Sequence, residues 1–196
     1  MNQILVRYLP VQINRQKTEK PNARRSGVVV LELILTMPAF LMIMLAIIQI
    51  SLIYVVIEQT AFASRYAAKI ASETPSGTLD DLDTDTAPLG ALKANVDRVL
   101  QVGGIPLGSC RLILQHNVLT GGTVREYDYP AIPVAGCDCG PPSSTLPSVT
   151  DAVATDSVRT TVCVKLDGNI PDFLSGLGFS IQNYVVEEST TYLYEL

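Results

Sequence analysis

A helix of membrane-spanning length is predicted by Arg24-Arg25-Ser26-Gly27-Val28-Val29-Val30-Leu31-Glu32 and the uncharged apolar run that follows from Leu33 to Ile57. The run holds 25 residues. At about 1.5 Å of rise per residue, a helix of that length reaches about 37 Å. Because the hydrocarbon core of a bilayer is roughly 30 Å thick, we expect one transmembrane span at residues 33–57.

The carboxylate of Glu32 stands at the edge of this apolar run, five positions after Gly27. A charge buried at the edge of a bilayer costs on the order of a few kcal/mol unless a cationic group meets it, so an acid at this depth indicates a functional site. The cationic partner that we expect is an N-terminal amine.

These residues resemble the processing site of type IV prepilins, in which a glycine precedes a hydrophobic residue, an acid follows at the fifth position and a long apolar helix comes after. Within that superfamily the chain resembles the TadE-like minor pilins, or pseudopilins, of the tight-adherence (type IVc) pilus. The likeness covers about 45 residues well and the last 40 loosely. It includes Pro38, the alanine-rich stretch from Ala61 to Ala71, and a C-terminal order of strand, proline loop and strand. Gln49 and Ser51 stand where such proteins more often have an acid and a glycine.

The resemblance implies cleavage between Gly27 and Val28 by a membrane prepilin peptidase on the cytosolic side. The freed amine of Val28 would then pair with Glu32 of an adjacent subunit, and Pro38 could loosen the helix during assembly. It implies a structural subunit, not an enzyme, that initiates or caps a pilus used in surface attachment. The implied partners are the peptidase, other pilins, the inner-membrane assembly platform and membrane lipid.

Charge is unevenly distributed along the chain, whose net charge is −5. In residues 1–27, six basic side chains against one acid make +5, so the remainder carries −10. A basic flank before the first apolar helix keeps that end cytoplasmic, which predicts a C-terminal domain outside the bacterial inner membrane. An acidic exterior disfavours nucleic acid as a partner, because phosphate binding needs clustered lysine and arginine.

The rest of the chain predicts an α+β fold. We expect a cleaved leader at 1–27, a long helix at 28–73, an acidic linker at 74–88 and an extracytoplasmic domain at 89–196. In that domain, apolar residues at helical spacing predict an amphipathic helix that stops at Gly103-Gly104. The predicted antiparallel sheet has about four strands. They lie at 110–118, 123–129, 157–166 and 179–193.

Four cysteines follow the apolar helix: Cys110, Cys137, Cys139 and Cys163. An even number in an exported domain favours disulfides, and four cysteines allow three pairings. A bond between Cys137 and Cys139 would close a small strained ring, so we expect the proline-rich loop to be joined to the strands at Cys110 and Cys163. Zinc, with His116 as a further ligand, is the alternative, but paired C-x₂-C spacing is absent. We expect no cofactor and no metal.

Other readings of single segments stay open at this stage. Ala61-Phe62-Ala63 fits a signal peptidase site, although the apolar region before it is longer than a signal peptide needs. An uncleaved signal anchor carrying a periplasmic binding module explains the helix but not the spacing from Gly27 to Glu32. The aspartates of the linker could bind calcium, but lack the EF-hand glycine and glutamate. His116 has no nucleophile beside it, and the tyrosines at 184, 192 and 194 fit either packing or a subunit contact.

Overall fold

The computed structural model describes residues 23–80, 88–118, 120, 123–129, 139–140, 146 and 156–195. At residues 23–26, 80 and 88–90 it describes the backbone only. The chain divides into two units, residues 1–41 and 42–196. The first unit contributes the start of a long helix. The second contains the rest of that helix and every other described element, which confirms the predicted α+β class.

The long helix α1 spans Ala23–Ser72, 50 residues. It begins upstream of the predicted start at Val28, because alanine and arginine are good helix formers and the single Gly27 costs only about 1 kcal/mol. Pro38 lies inside the helix, which continues through it.

Two shorter helices follow. In the segment predicted as a linker, α2 spans Ser76–Asp80, and Leu79 is fully buried. Of the linker aspartates considered as calcium ligands, only the backbone of Asp80 is described, and Asp81, Asp83 and Asp85 lie outside the described residues. Helix α3 spans Pro88–Val102 and buries Leu92, Val96 and Leu100, as its apolar spacing predicted.

The end of α3 is set by Gly104, whose φ of +84° suits glycine. The amide of Ile105 donates to the carbonyl of Leu100 at 3.2 Å, and the amide of Gly104 donates to that of Gln101 at 3.0 Å. These two bonds, with the buried contact between Ile105 and Leu100, are the Schellman arrangement. The predicted stop at Gly103-Gly104 is therefore confirmed.

Four antiparallel strands form one sheet in the order β2-β1-β3-β4. The strands are β1 Cys110–His116, β2 Arg125–Tyr129, β3 Ser157–Lys165 and β4 Val185–Leu193. The last strand begins six residues later than predicted, because residues 179–184 belong to the preceding loop. That loop contains a short 3-10 helix at Ser175–Leu177.

The core lies between one face of the sheet and the helices. On that face β1 contributes Leu112 and Leu114, which pair with Val162 and Thr160 of β3. The C-terminal half of α1 packs there with small side chains, and Ala63, Ala67 and Ala71 are almost fully buried. Small residues at spacings of four let the helix approach the sheet closely, which gives the alanine-rich stretch a packing role.

Candidate functional site

The exposed apolar part of α1 is the first candidate site. Among the described residues, the Gly27–Ser72 portion of α1 contains a window with mean hydropathy 2.8, long and apolar enough to cross a membrane. Every residue from Gly27 to Met44 is exposed, Leu45 and Ala46 are half-buried, and Gln49 is the first buried residue of this part of the helix. Val28 to Ile48 is 21 residues, or about 31 Å of helix. Beyond Gln49, Ile50, Tyr54 and Val55 are still exposed whereas Val56 is buried, and the span at 33–57 stays a prediction.

Gly27, Val28, Glu32 and Pro38 all lie on this stretch of α1, and all four are exposed. Val28 and Glu32 are four residues apart, so they occupy the same side of the helix, about 6 Å apart along its axis. The bond between Gly27 and Val28 lies near the start of α1, where helices fray.

A second site, which the sequence reading missed, lies where α1 meets the loop of residues 171–184. Gln49 is only 3 % exposed, although it stands within an apolar run. Its amide nitrogen donates to the Asp172 carboxylate at 3.2 Å, and its amide oxygen accepts from the Leu174 backbone amide at 3.0 Å. One polar residue among apolar neighbours was the available signal, since such a residue needs a partner when buried.

Asp172 organises the same loop. Its second carboxylate oxygen accepts from the Ile181 amide at 3.0 Å and from the Ser180 hydroxyl at 3.1 Å. Desolvation opposes ionisation, but the hydrogen bonds from Ile181, Ser180, Gln49 and Leu174 together hold the pKa of Asp172 below its usual range. The ionised carboxylate therefore closes the loop on itself and onto α1.

The cysteines are only partly arranged as predicted. Cys139 and Cys163 form a disulfide with 6.5 Å between their Cα atoms, so the expected anchoring at Cys163 is confirmed. The expected anchoring at Cys110 is wrong, because Cys110 is a buried free thiol. Cys110 lies opposite Val164 in the sheet, whereas Cys163 lies opposite Arg111, so the two cysteines point to opposite faces. Cys137 lies outside the described residues.

The face of the sheet that carries Cys163 also carries the charged side chain of Arg111. Arg111 donates from one guanidinium nitrogen to the Cys139 carbonyl at 2.7 Å and from the other to the carboxylate of Asp128. Arg111 is 8 % exposed, and its neighbour Ile113 is 1 % exposed. The segment that carries Cys139 is therefore held on this face by a covalent bond and by a charge-assisted hydrogen bond.

Cys110 faces the helices instead. Its thiol donates to Asp97 of α3 at 3.2 Å, and Asp97 in turn pairs with the buried Lys93 at 2.7 Å. Burial raises the pKa of Cys110 to about 12. A thiol with so high a pKa is a poor nucleophile, since the thiolate is the reactive form.

The zinc alternative finds no ligand set among the described residues. Cys139, Cys163 and Glu187 lie within 4.8 Å of one another, but the two sulfurs are already joined and supply no thiolate. His116 is on the other face of the sheet, fully buried, with its ring stacked on Tyr127 at a centroid distance of 5.7 Å. It therefore belongs to the core.

The structure also shows where the signal peptidase motif and the C-terminal tyrosines lie. Ala63 of the signal peptidase motif is fully buried in the C-terminal half of α1, against the sheet. Tyr184 precedes β4 and is 63 % exposed, whereas Tyr194 follows the strand and donates its hydroxyl to the Thr74 carbonyl at 2.7 Å. Nine residues of extended strand, about 30 Å, separate them, so the tyrosines do not form one patch.

The fold and these sites define a class: an α+β protein with one helix suited to crossing a membrane, whose second half packs on a disulfide-bonded antiparallel sheet. Comparison with family models, with curated proteins and with solved structures found no match for the chain.

Proposed function

We propose that this chain is a minor pilin, or pseudopilin, of the TadE-like kind. It is a membrane-anchored structural subunit that helps to initiate or cap a tight-adherence pilus, and it has no catalytic role. The observation that carries the proposal is the position of Gly27 and Glu32 at the head of an exposed apolar helix. The helix continues directly into the core of a four-stranded domain.

The exposed half of α1 supports an assembly role. Apart from Glu32 and Thr36, its side chains from Val28 to Met44 form an exposed apolar surface that needs either lipid or other apolar helices. Filament assembly would exchange lipid contacts for helix contacts. In this proposal the domain is exported, and the Cys139–Cys163 disulfide agrees with an oxidising compartment.

Glu32 would supply the register of assembly. After cleavage, the amine of Val28 is a cation and the carboxylate of Glu32 is an anion, about 6 Å further along the same side of the helix. Two parallel subunits displaced by about that distance bring the amine of one to the carboxylate of the other. The pairing removes the cost of an isolated charge in an apolar setting, which favours one stagger over all others.

The first experiment is to identify the N-terminus of the protein extracted from membranes of its native host, by intact-mass and peptide mass spectrometry. A mature chain that begins at Val28 supports the proposal. A Gly27→Leu variant is the matched control, because it should block processing without altering the apolar surface. A mature chain that retains residues 1–27 contradicts the proposal.

The alternative is an uncleaved, single-pass anchor that carries a periplasmic binding module. One observation favours it: α1 begins at Ala23 and runs through Gly27 without a break. In this case Glu32 would lie among the headgroups beside the basic residues that precede it. The alternative predicts that the N-terminus is not removed and that replacing Glu32 has no effect on function.

A further inference from the structure

We propose that the loop of residues 171–184 is a second membrane contact, which inserts its exposed apolar side chains into the bilayer interface beside Gln49. The occupant of this surface is lipid. The inference concerns the domain and its anchor, and it holds whether or not the chain is cleaved after Gly27.

The loop is fixed against α1. Both ends of the Gln49 amide bond to it, and Ala46, Ile50 and Ile53 of α1 line a cavity of about 710 Å³ together with Phe179. Ile50 is 65 % exposed at the edge of this cavity. An open apolar cavity beside the helix is suited to the acyl chain of a lipid.

The loop carries a single charged side chain and several exposed apolar ones. It contains no lysine or arginine, and the carboxylate of its one acid, Asp172, is engaged by hydrogen bonds within the loop and from Gln49. Four of its large apolar and aromatic side chains are exposed to the surroundings. They are Phe173, Leu177, Phe179 and Tyr184, exposed by 43, 49, 71 and 63 % respectively.

The position of the loop along α1 favours lipid as the occupant of its surface. The mainly apolar stretch from Val28 to Ile48, exposed except at the half-buried Leu45 and Ala46, is about 31 Å long, close to the hydrocarbon thickness, and Gln49 follows it directly. The loop therefore lies at the level where the helix leaves the hydrocarbon. Tyrosine, here Tyr184, is enriched at this depth, because its amphipathic ring suits the boundary between acyl chains and headgroups.

The test uses the absence of tryptophan from the chain. Phe179→Trp places a single fluorophore on the loop. Leu193→Trp is the matched control, since Leu193 is 56 % exposed at the end of β4. The backbone just beyond it bonds to Ser72, about 35 Å along α1 from Gln49. Each full-length variant is placed at one chain per nanodisc, in ordinary or brominated phosphatidylcholine.

We expect the Phe179→Trp emission to be blue-shifted and strongly quenched by brominated lipid, while Leu193→Trp is unaffected. Equal quenching of both variants would overturn the proposal, because it would mean that the domain lies on the bilayer without a preferred surface. Absence of quenching in both would also overturn it. A blue shift of Phe179→Trp that appears only when several chains share a disc would assign the surface to a second copy instead of lipid.

Discussion

Ser64 of α1 and Thr160 of β3 exchange two hydrogen bonds, although 96 residues separate them. The Ser64 hydroxyl donates to the Thr160 carbonyl at 3.2 Å, and the Thr160 hydroxyl donates to the Ser64 carbonyl at 2.8 Å. Both residues are fully buried. This reciprocal pair fixes the position of the helix on the sheet, among alanines whose small side chains would otherwise allow the helix to slide.

Replacing Thr160 by valine should lower the free energy of unfolding by about 1–2 kcal/mol, because it removes a buried donor while keeping the shape and strand preference of the side chain. Urea unfolding in detergent, followed by the near-ultraviolet circular dichroism of the tyrosines, measures this change. Thr123→Val, at an exposed position outside the strands, is the control and should change stability by less than about 0.5 kcal/mol. Equal stabilities of the two variants would contradict the assigned role.

Breaking the disulfide should destabilise the domain. Cys163→Ser opens a bond that closes a separation of 24 residues, and the expected loss is about 2–4 kcal/mol, since the unfolded chain regains conformational freedom. Urea unfolding with and without dithiothreitol measures it. The reductant should lower the stability of the wild type and leave Cys163→Ser unchanged. Equal sensitivity of both proteins to dithiothreitol would show that the Cys139–Cys163 disulfide is not the source of the stabilisation that the reductant removes.

The loop at Gln49 should loosen in acid. Because the pKa of Asp172 is lower in the folded chain than its unfolded value of about 3.9, its contribution to stability is complete above that pH. The contribution is lost as the pH falls through the folded pKa. Asp172→Asn should therefore weaken the loss of stability below about pH 4, measured by urea unfolding at several pH values.

Ser180→Ala is the companion variant for Asp172. It removes one hydrogen bond to the carboxylate and should shift the acid-induced loss toward higher pH. An Asp172→Asn protein that loses stability in acid as steeply as the wild type would exclude this carboxylate as the cause.

Cys110 should resist alkylation. With a pKa of about 12 and a buried thiol, it carries almost no thiolate at pH 8. Iodoacetamide should modify it only in denaturant, as peptide mass spectrometry can detect. A Lys93→Met variant tests the electrostatic contribution to the pKa of Cys110, because the Lys93 ammonium lowers that pKa and so opposes the effect of burial. Rapid labelling of native Cys110 would contradict the burial of its thiol between the sheet and α3.

Glu32→Ala should be produced and inserted normally but should assemble poorly, because the cationic amine of Val28 loses its anionic partner. Pilus counts by electron microscopy, with membrane abundance by immunoblot, separate assembly from expression. Glu58→Ala, an exposed acid further along α1, is the control and should assemble normally. Wild-type piliation of Glu32→Ala would argue against charge pairing.

Local pattern predicted most of the secondary structure. The apolar spacing of Leu92, Val96 and Leu100 identified α3, and Gly104 its end, since both signals act between residues a few positions apart. The start of β4 was misplaced because Phe179 and Ile181 have strand-like chemistry, but in the loop the Ile181 amide donates to Asp172 and the Phe179 amide donates to the Leu174 carbonyl.

The sequence by itself determined the long apolar helix, the position of Gly27 and Glu32 at its head, and the α+β order of elements, because these depend on composition and short-range periodicity. Only the tertiary structure decided that Gln49 belongs to the domain and that Cys163, not Cys110, holds Cys139. Both outcomes depend on which sheet face or loop lies opposite a side chain. That is set by contacts between residues as far apart as Gln49 and Asp172, separated by 123 positions, which no local pattern records.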